Sequence, residues 1–576
     1  MKKSLVPALL VSATAAIGAC GVSRYAPSPA ELVIRGGRIV TADDASPGAQ
    51  ALAARDGKIV FVGSTADAAA YVGPATRVID LNGQFAMPGF IEGHGHFTGI
   101  GESRLGLELQ KTTTWDQIVT MVADAAKTAK PGQWIIGRGW HQDKWTSPPT
   151  RNVEGFPTHA SLDAVAPNNP VVLTHASGHG AFVNAKAMVL SNITRSTPNP
   201  MGGEILKDKN GEPTGFLRET AASLVRRGVG EPPLSPDERA ARDRRVLDLA
   251  DQELISKGIT SFQDAGSDYG TIDLYKKAVD EGRMHLRMWM MIAGTSPDLV
   301  ANLDRYRVVG YGNDHFTVRA IKMYADGALG SRGAWLLAPY SDKPDSTGLA
   351  RATMSQLPDV AQAAIDRNFQ VCVHAIGDRA NREVLNVYEA AFTKNRKNGK
   401  DLRWRVEHAQ HLSAADIPRF GQLGVIASMQ PLHSTSDGPW VPERIGDARA
   451  AEGAYVWQKL MKSGAIVTSG TDAPVEDADP IVNYYAAVTR RMANGHVFHG
   501  DQKMSRMEAL KSYTILNAYA AFEESAKGSL TVGKLADITV LSKDITTVPD
   551  DEITSAKVMY TIVGGKVVYS FGRSGS

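Results

Sequence analysis

Met87-Pro-Gly-Phe-Ile-Glu-Gly-His94-Gly-His96-Phe97 sets an apolar run directly ahead of two histidines one residue apart. Side chains at i and i+2 of a strand project to the same face. A strand ending here therefore aims both imidazoles at one point, where neutral ring nitrogens can hold a single metal ion. A bare His-x-His is as readily an ordinary pair of surface or core histidines. The rest of the chain decides between the two.

Downstream, short apolar runs alternate with longer helical patterns, the signature of parallel βα units. Eight runs, at residues 86–91, 259–262, 286–292, 318–323, 370–373, 404–406, 425–429 and 465–468, predict an α/β fold, a (β/α)8 TIM-like barrel within residues 86–527. Chemistry on such a barrel sits at the C-terminal ends of its strands. The interval from Phe97 to Lys257 exceeds a single βα connection and carries strand-like segments of its own, Trp134-Ile-Ile-Gly-Arg-Gly-Trp140 and Val171-Val-Leu-Thr-His175. It reads as a cap domain, about residues 98–256, inserted after the first barrel strand. Within it, Ser235-Pro-Asp-Glu opens a helix with an N-cap and an acidic first turn. Beyond the barrel, Leu32-Val-Ile-Arg-Gly-Gly-Arg-Ile-Val40 and Gly57-Lys-Ile-Val-Phe-Val-Gly63 read as short strands joined by turns, as do Gly533-Lys-Leu-Ala-Asp-Ile-Thr-Val-Leu541 and Val558-Met-Tyr-Thr-Ile-Val-Gly-Gly-Lys-Val-Val-Tyr569. Neither end could easily bury a sheet face alone. Residues 31–85 and 528–573 are therefore expected to meet in one small flanking β-sandwich.

A chain of 576 residues can bury a large core, and 43% hydrophobic with 22% charged residues fits a globular protein. A formal net charge of +2 gives no electrostatic case for nucleic acid. Met1-Lys2-Lys3, then Leu5-Val-Pro-Ala-Leu-Leu-Val11 and small residues up to Cys20, resemble a bacterial lipoprotein signal. The run is too short for a membrane span. On this reading residues 1–19 are a signal peptide, Cys20 carries a lipid anchor and residues 20–30 are a tether; an ordinary signal peptide cut elsewhere is the alternative. Gly21 after the modified cysteine, where Asp would favour inner-membrane retention, points to the periplasmic face of a Gram-negative outer membrane. Cys372 is the only other cysteine, so no internal disulfide can form in the processed chain. The oligomeric state stays open, a homodimer included.

Four further segments fall at expected strand ends: Lys322-Met-Tyr-Ala-Asp-Gly-Ala-Leu-Gly-Ser331, Val373-His374-Ala-Ile-Gly-Asp378, Glu407-His408-Ala-Gln410 and Ser469-Gly-Thr-Asp472-Ala-Pro474. Singly, His374 or His408 reads as a hydrogen-bonded core histidine, Lys322 as a paired strand-end cation and Asp472 as a cap or turn former. Together with His94 and His96 they place four imidazoles, an amine and a carboxylate on different strand ends, as a metal site requires and a stable core does not.

These motifs, Pro-Gly-Phe-Ile-x-x-His-x-His, Lys-x-x-x-Asp-Gly-x-Leu-Gly-Ser-Arg, His-Ala-Ile-Gly-Asp-Arg-Ala, Glu-His-Ala-Gln and Gly-Thr-Asp-Ala-Pro-Val, resemble the amidohydrolase superfamily. Within it they resemble the YtcJ-like branch, amidohydrolase family 3, which includes N-substituted formamide deformylases; the likeness runs from about residue 31 to 570. The resemblance implies that His94 and His96 hold a first zinc ion and His374 and His408 a second, with Lys322 carboxylated as the bridge. A single ion is the alternative. Only a neutral amine takes up carbon dioxide, so that role needs a buried lysine with a lowered pKa. Asp472 would contact the first metal and act as the catalytic proton shuttle in hydrolysis, by metal-activated hydroxide, of a C–N bond of a small-molecule amide-type substrate.

The chain departs from the branch at Glu92-Gly93, where relatives often carry Asp, and at Gly139-Trp140-His141, where they carry Gly-Trp-Asp. Trp140, His141, Trp145, His179, Asn184, Met429, Gln430 and His433 are candidates for the substrate pocket, each aromatic reading equally as core packing. Gln410 and Gln430 could orient ligands. Hydrolysis of a carbamate, lactone or ester, deamination of a heterocycle, and a non-catalytic ligand-binding or regulatory lipoprotein are the rival readings.

Overall fold

In the computed structural model, residues 27–572 apart from residues 232 and 295 are described. The signal-peptide reading and Cys20 fall outside the described residues. Among these, no helix is long and apolar enough to cross a membrane.

Eight strands form the central barrel: β1 (Phe90–Gly95), β2 (Ile259–Ser267), β3 (Arg287–Ala293), β4 (Phe316–Tyr324), β5 (Gln370–Ala375), β6 (Arg405–His408), β7 (Ile426–Met429) and β8 (Val467–Ser469). Each pairs in parallel with the next in chain order. Their near-continuous burial explains why they read as apolar runs and not as alternating ones. One run divides differently from the expectation. Residues 86–91 are not a single strand, because Phe85–Pro88 belongs to the flanking sheet and β1 starts only at Phe90. Gly89 makes the crossing, since a Cβ there would lie 2.2 Å from the Thr260 hydroxyl.

The barrel closes between β8 and β1 largely through side chains. Asn517 Nδ2 donates to the Ile91 carbonyl at 2.7 Å and to the Ser469 carbonyl at 2.8 Å. Glu92 Oε1 accepts from the Thr471 amide at 2.6 Å and the His94 amide at 3.2 Å, and the Asp472 amide donates to the His94 carbonyl at 2.7 Å. Gly93 must lack a side chain here, because its Cβ would sit 2.4 Å from Asn517 Oδ1.

Both chain ends supply a single eight-stranded sheet, ordered Lys566–Ser570, Val558–Val563, Ile538–Leu541, Phe85–Pro88, Leu32–Val40, Gly48–Arg55, Lys58–Gly63, with Arg77–Asp80 also on Leu32–Val40. The antiparallel pairing of Phe85–Pro88 with Ile538–Leu541 joins the two ends. A buried fork ties this sheet to the barrel: Arg287 Nε and Nη2 donate to Asp537 Oδ2 and Oδ1 at 2.7 and 3.0 Å.

Between β1 and β2 lies a six-stranded sheet, ordered Gly203–Lys207, Pro213–Glu219, Gly180–Val183, Val171–His175, Ile135–Trp140, Leu107–Glu108. It packs its own apolar core with helix Trp115–Thr128. The return to the barrel is helix Pro236–Ser256, started by a reciprocal capping box between Ser235 and Glu238 and buried along Val246, Leu247, Ala250, Leu254 and Ile255.

Candidate metal centre and substrate chamber

The His94 ring is fully buried at the end of β1, and its Nδ1 is in short contact with Glu407 Oε2 on β6. Arg405 clasps that carboxylate twice, Nε to Oε1 at 2.6 Å and Nη2 to Oε2 at 2.9 Å, while Nη1 donates to Gln263 at 2.5 Å. Burial alone would raise the Glu407 carboxyl, but Arg405 and then His94 hold it well below the usual carboxylate range. Burial and then the Lys322 charge lower His94 to about 4, so the ring is neutral. With Nδ1–H donated to Glu407, the lone pair is left on Nε2, which faces Asp472 Oδ1 at 3.5 Å.

Asp472 follows β8 in a left-handed backbone conformation at φ 59°. Its Oδ1 lies 3.1 Å from His96 Nε2. Burial opposes its ionisation, yet the neighbouring His96 and then His94 keep it well below its ordinary value, a carboxylate at neutral pH. One ligand atom from each of His94, His96 and Asp472 fits within 4.8 Å of the others. His94 Nε2 and Asp472 Oδ1 are buried without a hydrogen-bond partner among the described residues. Orphaned buried acceptors of this kind are costly unless something positive satisfies them, and N/O donors in this grouping suit a divalent zinc-like ion.

His408 and His374 extend the cluster. The His408 ring stands 4.8 Å from that of His94 and 4.5 Å from that of His374. His408 Nδ1 meets Gln430 Oε1 at 2.7 Å, which orients the ring. His374 Nε2, also without a hydrogen-bond partner, is 3.4 Å from Asp326 Oδ1. Asp326 accepts the Ile376, Gly377 and Trp335 amides, and burial still pushes it up to about 7. Lys322 is buried with no hydrogen bond or ion pair among the described residues, and burial lowers its pKa. Gly266 clears space for its stem, as a Cβ there would meet Lys322 Cγ at 3.0 Å and φ is +123°.

Above these residues a chamber opens in two lobes that share His179, His374, His408 and Asp472. The outer lobe, about 500 Å³, is polar, with Lys322, Tyr324 and several arginines. The inner lobe, about 50 Å³, is lined by His141, His433, Trp440, Asp437, Glu476 and Lys144, among others. Burial raises Asp437 to about 6, against the lowering effects of His433 and the Tyr455 hydroxyl. His179 Nδ1 donates to Glu219 Oε2 at 2.7 Å, its ring 4.9 Å from that of His374.

Trp140 and Trp145, expected at the pocket, stack on each other at 5.9 Å inside the cap's core instead, and Trp140 Nε1 is spent on the Leu173 carbonyl at 2.9 Å. Met429 is packed in the barrel core, Gln430 serves His408, and Asn184 caps helix Ala185–Leu190. Gln410 donates to the Tyr455 hydroxyl at 2.6 Å. Glu92 closes the barrel seam, its carboxyl raised to about 8 by burial. Sequence reading passed over Glu407, Arg405, Asp326, Glu219 and the inner-lobe acids. Glu407 and Asp326 stood inside recognised motifs beside a ligand candidate, whereas Glu219 and Asp437 carried no local signal.

A parallel barrel that gathers orphaned ligand atoms at the mouth of its strands, under a chamber roofed by an inserted domain, defines a metal-dependent hydrolase. The amidohydrolase family model matches residues 77–569, and the chain belongs to that family. It is 34% identical over 553 residues to Protein LONG AFTER FAR-RED 3 of Arabidopsis thaliana, covering 94% of this chain and 92% of that one. The putative amidohydrolase YtcJ of Bacillus subtilis is 32% identical, covering 87% and 92% of the two chains. An N-substituted formamide deformylase of Arthrobacter pascens is 28% identical, covering 95% and 99%. Among solved structures, a metal-dependent hydrolase of Pyrococcus horikoshii superposes with a TM-score of 0.71 at 26% identity, covering 90% of this chain and 99% of that one.

Proposed function

We propose that this chain hydrolyses an amide-type C–N bond of a small molecule, with zinc held by His94, His96 and Asp472 and a second ion held by His374 and His408. The observation that carries the reading is the pair of unpartnered acceptors, His94 Nε2 and Asp472 Oδ1, set beside His96 at the floor of an open chamber. A bound divalent ion supplies the acidity that makes water a nucleophile near neutral pH and polarises a carbonyl. Asp472, kept ionised by His96, would accept the water proton on the carboxylate oxygen not turned to the ion and pass it to the leaving nitrogen as the C–N bond breaks. Lys322, buried beside the Tyr324 ring and with no hydrogen bond or ion pair among the described residues, has the lowered pKa that carbamate formation needs, and as the carbamate it would bridge the two ions. The deformylase relative supports the choice of amide over ester or lactone. Export and lipid anchoring at Cys20 belong to the same proposal and rest on residues 1–20 of the sequence.

Metal analysis of the purified full chain, coupled to turnover of formamides, acyl amides, dipeptides, carbamates and lactones, tests it. Asp472→Asn is expected to retain protein-bound zinc while kcat falls by at least about 10²-fold, the scale of a lost acid–base group. Metal-free, silent protein would favour the ligand-binding reading, and undiminished turnover by Asp472→Asn would remove the shuttle.

A further inference from the structure

The outer lobe carries more positive charge than the metal ligands explain. Arg138 on strand Ile135–Trp140, Arg227 following the turn Thr220–Leu224, and Arg351 from the segment after β4 all border it, with Lys322, His374, His408 and Asp472 at its floor. Arg351 is matched, its Nη1 being 3.5 Å from Glu219 Oε2. Arg138 and Arg227 are not. Neither has a carboxylate within ion-pair distance among the described residues. Among the described residues Arg138 makes one hydrogen bond, Nη2 to the Ala176 carbonyl at 3.3 Å, and its buried Nε has no partner. Arg227 makes one among the described residues, Nη2 to the Thr174 hydroxyl at 3.0 Å.

A guanidinium donates through a rigid fork matched to a planar carboxylate. Half-buried Arg138 keeps its Nε buried and unpaired, at a free-energy cost that an anionic ligand would recover, while exposed Arg227 adds a second unmatched charge at the rim. Burial lowers Arg138 to about 10, which still leaves it charged at neutral pH. Its seat is also shaped: Gly178, at φ +75°, passes beneath the guanidinium, and a Cβ there would lie 3.4 Å from Nη2. The lobe's volume, about 500 Å³, exceeds what a simple formamide fills and lies within the range of sites for larger ligands.

We infer that the outer lobe is an anion subsite, and that the substrate is an amide bearing a carboxylate that Arg138 and Arg227 hold while its scissile bond lies over Asp472. This deepens, and rests on, the amide-hydrolase reading. The neutral end of such a substrate would point toward the inner lobe, where Lys144 is already matched by Glu476 at 3.5 Å and Asp437 adds a further acid.

The test uses the metal-loaded full chain and two matched pairs, N-benzylsuccinamate against N-benzylsuccinamide and N-formylphenylalanine against its carboxamide. The carboxylate member of at least one pair is expected to be hydrolysed with a kcat/KM at least 10-fold higher. Arg138→Met and Arg227→Met are each expected to shrink that preference by at least 5-fold. Arg227 is exposed, so its variant remains informative if Arg138→Met misfolds. Equal turnover within both pairs, or a preference unchanged by both variants, overturns the subsite and leaves amide hydrolysis standing. If no amide is cleaved, calorimetric titration with 4-phenylbutanoate and 4-phenylbutanamide still reads the subsite. Tighter binding of the acid, lost in Arg227→Met, supports it. Equal binding, or a preference that survives the substitution, overturns it.

Discussion

At the residue scale the centre depends on a carboxylate that touches no ligand position itself. Glu407 fixes the tautomer of His94 by taking its Nδ1–H, and Arg405 locks Glu407 in place. Such partners make the ligand more basic and hold the ring in a single orientation. Glu407→Gln keeps the shape but removes the charge. It is expected to weaken zinc binding by about 10–100-fold in competition with a chromophoric chelator. Affinity within about 2-fold of wild type would show that His94 is oriented by packing alone. Glu407 was visible in the sequence as the residue before His408, yet its task was not, because neighbours on a strand face opposite sides and its partner lies on β1, far away in the chain.

At the element scale the decisive join is the one that closes the barrel. β8 is three residues long, and it meets β1 through Asn517, Glu92 and single backbone contacts. Asn517 stands on the short helix Ile515–Ala520 and is fully buried. Replacing it with Leu leaves the Ile91 and Ser469 carbonyls without that donor, and unsatisfied buried groups cost about 1–3 kcal/mol each. Asn517→Leu is therefore expected to destabilise the metal-loaded protein by about 2–4 kcal/mol in urea unfolding. A loss under about 0.5 kcal/mol would mean that the seam is held elsewhere. In the same region the Glu92 side chain reaches across to the Thr471 amide and staples the strand end that carries Asp472.

At the scale of the molecule, the chain buries several histidines as neutral rings, among them His141, His175 and His411 outside the metal ligands. Burial lowers both His175 and His411 to about 3. In the unfolded chain each titrates near its ordinary value of about 6.5. As pH falls below that value the unfolded chain takes up protons that the folded one refuses, so stability is full above about 6.5 and declines toward about 3. Each such ring contributes a slope of about 1.4 kcal/mol per pH unit in that window. Glu92, Asp326 and Asp437 act the other way, because their raised carboxyls bind protons in the folded state first. Substituting His411 with Gln is expected to flatten the plot of unfolding free energy against pH by about one proton between pH 6 and 4. An unchanged slope would show that His411 protonates in the folded protein.

The sequence by itself determined the barrel, because strands buried on both faces must be apolar throughout and eight such runs at βα spacing leave little other architecture. It also determined the ligand candidates, because histidines, a lysine and an aspartate at strand ends are legible one strand at a time. The chemistry around them belonged to the tertiary structure. Glu407 beneath His94, the fate of Trp140 and Trp145 as core residues, and the unpaired Arg138 and Arg227 are each set by contacts between elements distant along the chain. An aromatic or a charge carries no local mark of whether it will face a core, a partner or a cavity. Only the folded cap, lowered onto the mouth of the barrel, decides which of them the substrate meets.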